Sequence, residues 1–217
     1  MTCSVRLIAI TQGAGDLINK TAQDIISYTA RVSNPDNQEK FDTAPKLLAY
    51  CIRNKHWSIF QQSFLTLEIV TSRAIAAQIL RHSSMHFEEW SLRYSSSMGY
   101  QIYPARRQDV KNRQNSTDDL PQETKDWFIN AQERLNSFAD ELYSEAITKG
   151  VARESARFLL PLSTRTKLYM SGSVRSFIHW IQLRTDKSTQ LEHREVAEKA
   201  KEIFSKELPD ISAALGW

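Results

Sequence analysis

Three side chains that could bind an anion stand at helical spacing near the middle of the chain. Gln78, Arg81 and His82 are spaced i, i+3 and i+4, so on a helix they share one face. Ile75 and Ile79 occupy the other face and are expected to point toward the core. A guanidinium beside an imidazole and an amide offers several hydrogen-bond donors to one ligand.

The following segment changes to a two-residue period, and we predict an extended chain from Glu89 to Gln101. If the aromatic side is buried, a carboxylate, a hydroxyl and a guanidinium are presented together. The polar side would carry Glu89, Ser91, Arg93 and Ser95, and the other side Trp90, Leu92 and Tyr94. The alternative is a solvated edge strand whose arginines form surface ion pairs, which is a common arrangement.

A second group of basic side chains lies downstream. Arg175 and His179 are four residues apart on a predicted helix, and Gln182 continues that face. Arg184 falls where this helix should end, and Arg153, Arg157 and Arg165 flank an apolar Leu-Pro segment. The planar guanidinium suits phosphate because it donates two parallel hydrogen bonds. Two separated groups would fit two phosphate-bearing ligands, although a mildly basic protein also scatters arginines over its surface.

The elements that must position these residues mix strands and helices. We predict a single α+β domain over residues 1–217, with a central antiparallel sheet flanked by helices, and an exposed loop or insertion at 106–119. The strands are expected at 4–11, 63–70 and 164–170. The helices are expected at 21–32, 43–53, 71–81, 120–149, 173–183 and 188–206.

Composition excludes several classes of protein. The 217 residues include 41% hydrophobic residues and 28 basic against 25 acidic side chains, for a net charge of +3. This argues against global disorder and against a surface that coats nucleic acid. Cys3 and Cys51 lack metal-type or redox-type spacing. Met1 to Gln12 resembles a first strand rather than a signal peptide, and no apolar run is long enough for a membrane span, so a cytoplasmic location is expected.

The segment from Arg81 to Ser95 resembles the signature R-H-R-x-x-S-x-N-E-x-S-x-R-Y of the flavin-dependent thymidylate synthases. It departs from that signature at Ser83, His86 and Glu88. It keeps six of the fixed positions, namely Arg81, His82, Glu89, Ser91, Arg93 and Tyr94.

Further elements of the same family follow in the family's order, over roughly residues 28 to 192. They are similar to A-R-V-S at 30–33, H-x-T-P-F-E at 56–61, A-R-x-x-L-P at 156–161, N-x-R-S-[LF] at 173–177 and L-R at 183–184. Ser58, Gln61 and Ser173 differ from the family residues there. The departures at Ser83, Gln61 and Ser173 concern flavin contacts more than the nucleotide pocket.

The resemblance implies a homotetramer with active sites at subunit junctions. It implies FAD as cofactor, with methylenetetrahydrofolate and NADPH as co-substrates in the methylation of dUMP to dTMP. No metal, nucleic acid or membrane is implied. The implied dUMP residues are Gln78, Ile79, Leu80, Arg81, Glu89, Trp90, Ser91, Leu92, Arg93, Arg157 and Arg184. The implied FAD residues are Ser33, His56, Ser58, Arg81, His82, Ser83, Ser84, Glu89, Ser173, Val174, Arg175 and His179.

The chemistry of the side chains agrees with these implied roles. Arg93 and Arg157 suit the phosphate dianion. Arg184 is the predicted catalytic residue, because a fixed cation at the uracil edge favours the ionised imide and makes the ring carbon more nucleophilic. Ser91 has no histidine or lysine placed to activate it, so we assign it to substrate positioning.

Three other interpretations remain open at the level of sequence. A metal-dependent hydrolase could use His82 and His86, four residues apart, with Glu89 as a third ligand. A family member could bind FAD and dUMP yet lack activity because of the altered signature. A module that binds RNA or a nucleotide could use the basic residues Arg106, Arg107, Lys111 and Arg113.

Overall fold

A four-stranded antiparallel sheet forms the centre of the computed structural model, which describes residues 3–217. The strands are β1 (Ser4–Ile10), β2 (Phe64–Ser72), β3 (His86–Glu89) and β6 (Arg165–Ser173), in the order β1-β2-β6-β3. Side chains on β2 alternate between buried and partly exposed positions, as expected for a sheet with one face on the core. The prediction of a mixed single domain with an antiparallel sheet is confirmed.

The two central strands determine where the helices begin. Strands β2 and β6 pair along their whole lengths, from Phe64 opposite Ser173 to Ser72 opposite Arg165. Each strand passes directly into a helix, α3 (Arg73–Ile79) after β2 and α6 (Val174–Arg184) after β6. Because the strands are antiparallel, the two helices start at opposite ends of the pair.

The bounds of the remaining helices are α1 (Ala22–Ala30), α2 (Ala44–Arg53), α4 (Gln122–Thr148), α5 (Arg153–Ala156), α7 (Leu191–Glu207) and α8 (Pro209–Leu215). Of these helices, α7 packs against β1, and α1 and α8 pack against α2. Thr21 caps α1 through a reciprocal bond with Asp24, and Ser173 caps α6 by accepting from the Ser176 amide. Trp180 and Phe177 of α6 are fully buried.

Most predicted elements are confirmed to within a few residues. Ile75 and Ile79 of α3 are buried, as are Val174, Phe177, Ile178 and Ile181, the predicted apolar face of α6. Among residues 3–217, no helix is long and apolar enough to cross a bilayer. The sequence analysis did not predict α5 or α8. Of the predicted first strand, Met1 and Thr2 lie outside the described residues.

The prediction of an extended chain from Glu89 to Gln101 is wrong beyond Glu89. Strand β3 begins earlier, at His86, and the chain turns after Trp90. The turn is closed by hydrogen bonds from the amides of Tyr94 and Ser95 to the carbonyl of Ser91. Its side chains therefore do not alternate as they would in a strand, and Tyr94 is 77% exposed although its predicted place was the buried side.

The apolar spacing of α4 predicted the helix but not its buried face. The buried side chains are Asn136, Ala139 and Tyr143, whereas Leu135 and Phe138 from the apolar series are exposed in the single chain. Asn136 accepts from the Ser163 hydroxyl at 2.9 Å, which satisfies its amide oxygen. The face of α4 that packs on the rest of the chain is therefore the one with Asn136, Ala139 and Tyr143.

Residues 106–119, predicted as an exposed loop, form a short hairpin of β4 (Arg107–Gln108) and β5 (Ser116–Thr117). Most of this segment is exposed, but Arg106 at its base is not. The Arg106 guanidinium forms an ion pair with the buried Glu192 of α7 at 2.6 Å. The base of the hairpin is therefore tied to the core.

Substitution of the α6 cap tests the structural role of Ser173 apart from any cofactor. In protein freed of ligands, Ser173→Ala should lower the free energy of unfolding by about 1 kcal/mol, because the Ser176 amide loses its acceptor. Ser173→Asn should retain most of the stability, since asparagine caps helices as well as serine. Urea unfolding measures both. Equal stability of Ser173→Ala and the parent protein would contradict the capping role.

Candidate active site

Two guanidinium groups come together where α3 and α6 end. Arg184, the last residue of α6, donates from Nε to Nε2 of His82 at 2.9 Å. Burial, and then the like charge of Arg81, lower the pKa of Arg184. Within residues 3–217, neither Arg81 nor Arg184 forms an ion pair with a carboxylate. Arg81 is exposed, whereas Arg184 is partly buried. Partly buried positive charge without a paired carboxylate is costly, so the position of Arg184 is suited to an anionic ligand.

His82 holds Arg184 in place as a neutral imidazole. Because its Nε2 accepts a hydrogen bond, the ring proton of the neutral form is on Nδ1. Burial, with smaller effects from Arg184 and His179, lowers the pKa of His82 to about 4. The ring also meets Trp180 edge-on, with 6.4 Å between centroids. The hydrogen bond to His82 uses only the Nε–H of Arg184. The N–H groups of its two Nη atoms are therefore available to a ligand.

Gln78 and His193 lie beside this cluster. The Oε1 atom of Gln78 is 3.3 Å from Nδ1 of His193, which is fully buried on α7. Burial, followed by the charges of Arg184 and His82, lowers the pKa of His193 to about 3. His193 was not predicted as a site residue, because the sequence of this helix was interpreted through its apolar spacing alone. The sequence did contain one indication of a buried polar site, because the polar residues Gln190, Glu192 and His193 stand together where the buried face of this helix begins.

A cavity of about 580 Å³ lies between α6 and the 3-10 turn Trp57–Gln61. Three residues of the predicted FAD set line it, namely Ser84, Arg175 and His179. Gln182 continues the His179 face, as its spacing predicted. Gln61, one of the departures from the family residues that concern flavin contacts, also lines the cavity. Trp57, Ser176 and Ile178 line it as well and were not among the predicted site residues. The volume is in the range of small-molecule and cofactor sites.

The other predicted FAD residues do not line this cavity. Ser173 is the buried cap of α6, and the side chain of Val174 is buried in the core. Ser58 is exposed within the 3-10 turn, and His56 just before it packs edge-on against Tyr50. Ser33 after α1 and Ser83 after His82 are exposed, as is Arg81. His82 is buried and Glu89 is partly buried.

The predicted phosphate arginines meet at a different place. Arg93 forms an ion pair with the carboxylate of Glu154 at 3.3 Å. Arg157 donates from Nε to the carbonyl oxygen of the same residue at 3.2 Å. Arg157 and Leu92 also line a groove of about 230 Å³. The turn after Trp90 thus brings together two arginines that are 64 positions apart in the chain.

Glu89 and Ser91 belong to the same region as Arg93. Oε1 of Glu89 accepts from Arg73 at 3.0 Å and from the Thr166 hydroxyl at 2.8 Å, so this carboxylate is compensated within the chain. Arg73 also donates to the Trp90 carbonyl. Ser91 accepts from the Arg93 amide, and no imidazole or amine forms a hydrogen bond with its hydroxyl among the described residues.

The predicted dUMP residues therefore fall into two groups. One contains Gln78, Arg81 and Arg184, and the other extends from Glu89 to Arg93 and includes Arg157. In residues 3–217, no hydrogen bond or ion pair joins the two groups. Ile79 is fully buried in the core, whereas Leu80 is exposed, so Ile79 is not open to a ligand in the single chain.

The described residues lack the geometry required by two of the alternative interpretations, the metal-dependent hydrolase and the module that binds RNA or a nucleotide. His86 lies on β3 and helix α3 ends at Ile79, so His82 and His86 do not share a helical turn. The described residues contain no group of three His, Cys, Asp or Glu side chains arranged for a metal. In the basic segment, Arg106 is paired with Glu192 and Arg107 with Asp119, which removes the continuous positive surface.

Comparison with known proteins identifies the family. A sequence model described as thymidylate synthase complementing protein, Thy1, matches residues 16–210. The chain belongs to this family. A probable flavin-dependent thymidylate synthase of Paramecium bursaria Chlorella virus 1 is 53% identical over 215 residues, or 99% of both chains. The flavin-dependent thymidylate synthase of Synechocystis sp. is 54% identical over 195 residues, or 90% of each chain.

A solved structure shares the fold of this Thy1 protein. The UMP/dUMP methylase PolB from Streptomyces cacaoi, bound with 5-Br dUMP, aligns with a TM-score of 0.84. The alignment covers 99% of this chain and 94% of the other, at 23% identity. At this identity the similarity establishes the fold alone.

The depressed pKa of His193 makes stability depend on pH. An imidazole with a pKa near 3 when folded and near 6.5 when unfolded takes up a proton only on unfolding. Its stabilising contribution is complete above pH 6.5 and is lost toward pH 3, by about 1.4 kcal/mol per pH unit within that window. Urea unfolding of His193→Gln between pH 6.5 and 4.5 should therefore show a weaker pH dependence than the parent protein.

The exposed His86 provides the matched control for this measurement. His86→Gln makes the same replacement at an exposed position on β3 and is measured over the same pH range. If His193→Gln and the parent protein lost stability equally over this range, a neutral buried imidazole would be refuted.

Proposed function

We propose that this protein is a flavin-dependent thymidylate synthase that methylates dUMP to dTMP in the cytosol. Methylenetetrahydrofolate would supply the methylene group, and NADPH would supply electrons through FAD. One observation carries the proposal, namely that Arg81 and Arg184 form no ion pair with a carboxylate among the described residues, close to a cavity lined by Ser84, Arg175 and His179. His82, which accepts a hydrogen bond from Arg184, lies near enough to His179 for their charges to interact. Positive charge next to a cofactor-sized cavity suits an anionic nucleotide that reacts against a cofactor.

The residues of the cavity fit a flavin dinucleotide. Arg175 and His179 present donors from the exposed face of α6, and these suit a diphosphate. Ser84 and Gln182 offer a hydroxyl and an amide, and Trp57 adds an aromatic wall. When bound, FAD supplies the two-electron redox chemistry that no side chain provides. The volume of about 580 Å³ suits part of so large a molecule, with the rest extending beyond the chain.

Arg184 has the properties required at the uracil edge. Its guanidinium is partly buried, where a charge interacts more strongly with a ligand than it would in water. His82 fixes its orientation before the ligand arrives, so less ordering is needed at the moment of reaction. A fixed cation there favours the ionised imide of the nucleotide and raises the nucleophilicity of the ring.

Arg93 and Arg157 suit the phosphate, although in one chain they are not connected to Arg184. We propose that a second copy of the chain brings the two groups together, in a homotetramer with active sites at subunit junctions. The exposed Leu135 and Phe138 of α4, together with Phe158, which is 82% exposed beside Arg157, give apolar surface for such contacts.

Purified protein provides the test of the proposed function. It should be yellow because flavin is bound, and the colour should bleach when NADPH is added in the absence of oxygen. With methylenetetrahydrofolate present, it should release tritium from dUMP labelled at the methylated carbon. A yellow protein that releases no tritium would identify a family member without synthase activity. A colourless protein with stoichiometric zinc would favour the hydrolase.

Replacement of Arg184 tests its assigned role. Arg184→Ala should abolish tritium release while FAD stays bound, because the cavity residues are unchanged. Arg113→Ala is the matched control, since Arg113 is exposed on the hairpin and lies outside the site. Activity of Arg184→Ala near that of the control would refute the assignment.

The hydroxyl of Ser91 should be dispensable. Ser91→Ala should retain measurable tritium release, because the hydroxyl positions the substrate and has no neighbouring base to activate it. Single-turnover tritium release with saturating dUMP measures the effect. Complete loss of turnover with intact dUMP binding would instead make Ser91 a nucleophile.

A further inference from the structure

A continuous hydrogen-bonded chain runs from the hairpin base to Gln78. It begins at the ion pair between Nη2 of Arg106 and Oε1 of Glu192, whose side chains are only 14% and 6% exposed. A buried ion pair is weak evidence for stability, because desolvation offsets its attraction. A role in orientation is therefore worth considering.

The ionised carboxylate gives the chain a direction. Glu192 can only accept, so its Oε2 takes a hydrogen bond from Nε2 of Gln190 at 2.9 Å. The Gln190 amide is thereby fixed with its oxygen on the other side. That oxygen accepts from Nε2 of Gln78 at 2.5 Å. The carboxylate of Glu192 thus determines the orientation of the Gln190 amide, which in turn determines the orientation of the Gln78 amide.

His193 closes the chain at its other end. Since Nε2 of Gln78 donates to Gln190, its Oε1 is the atom that faces Nδ1 of His193, at 3.3 Å. An oxygen needs a donor, so His193 carries its proton on Nδ1. Its Nε2 is buried and has no hydrogen-bond partner among the described residues. Burial lowers the pKa of His193 to about 3, which keeps the ring neutral.

We propose that Glu192 and His193 are positioning residues that fix the Gln78 amide for nucleotide binding. The proposal rests on the proposed function, in which Gln78 contacts dUMP. One N–H of Gln78 is used by Gln190, and the other stays free on a residue three positions before Arg81. Without the chain, the amide can rotate and present an oxygen where the nucleotide needs a donor. A mismatched polar contact of this kind weakens binding by roughly 10-fold or more.

Two substitutions break the chain at separate points. Glu192→Gln keeps the size of the side chain but removes the acceptor-only group that sets the direction. His193→Leu removes the donor to Gln78, whereas His193→Asn keeps a donor near the position of Nδ1. Glu202→Gln, exposed on the same helix, is the control. The readouts are the flavin content, the Kd for dUMP by calorimetry, and KM and kcat for tritium release.

The expected pattern separates positioning from packing. Glu192→Gln and His193→Leu should raise the Kd and KM for dUMP roughly 10-fold, with kcat changed far less and flavin content unchanged. His193→Asn should bind dUMP nearly as well as the parent protein. Unchanged binding in Glu192→Gln and His193→Leu would overturn the proposal, and so would a His193→Asn variant as weak as His193→Leu. A parent protein that does not bind dUMP would refute the proposed function as well.

The tautomer of His193 can be observed without a destabilising change. The ¹⁵N NMR spectrum of protein with labelled histidines should contain one signal that is absent from His193→Asn. That signal should show a protonated Nδ1, an unprotonated Nε2 and no titration at mildly acidic pH. A proton on Nε2 would overturn the proposal even if Glu192→Gln failed to fold.

Discussion

The partly buried positive charge of Arg184, which has no carboxylate partner among the described residues, is the constraint on which the site depends. Arg184 is partly buried, lies close enough to Arg81 for their charges to interact, and is held by an imidazole that stays neutral. A carboxylate in place of His82 would satisfy the charge and leave nothing for a ligand. A neutral acceptor instead fixes the geometry while the charge remains available to an anion.

The fold produces this arrangement from a simple pairing of strands. Because β2 and β6 are antiparallel and each leads into a helix, α3 and α6 begin at opposite ends of the strand pair. Their C-terminal ends meet nevertheless, since Arg184 of α6 contacts His82 just beyond α3. The short β3 and the turn after it then carry Arg93 to Glu154 and Arg157, away from this contact. Two sets of arginines result, and no hydrogen bond or ion pair joins them among the described residues.

The sequence predicted those features whose cause lies in neighbouring residues. The face of α6 with Arg175 and His179 and its apolar opposite follow from helical periodicity alone. The turn after Trp90 could not be predicted so, because alternating polar and apolar residues suit a strand equally well. The turn is closed by hydrogen bonds from two backbone amides to the carbonyl of Ser91. Backbone bonds of this kind cannot be recognised from the residue types.

Other features depend on contacts between distant segments. Asn136 faces inward on α4 because it meets Ser163, whereas Phe138 faces outward despite its apolar side chain. His193 is part of the site because its helix returns to α3 and places it beside Gln78. The spacing of residues within one helix does not predict either contact, because each contact depends on a second segment far away in the chain.

The most direct test of the account asks whether arginines from different copies of the chain share one site. Arg157→Ala and Arg184→Ala should each be inactive alone. Oligomers assembled from both variants should regain part of the tritium release, since some sites would combine an intact Arg157 from one copy with an intact Arg184 from another. Mixed oligomers that form but stay inactive, while the parent protein carried through the same procedure is active, would contradict a shared site.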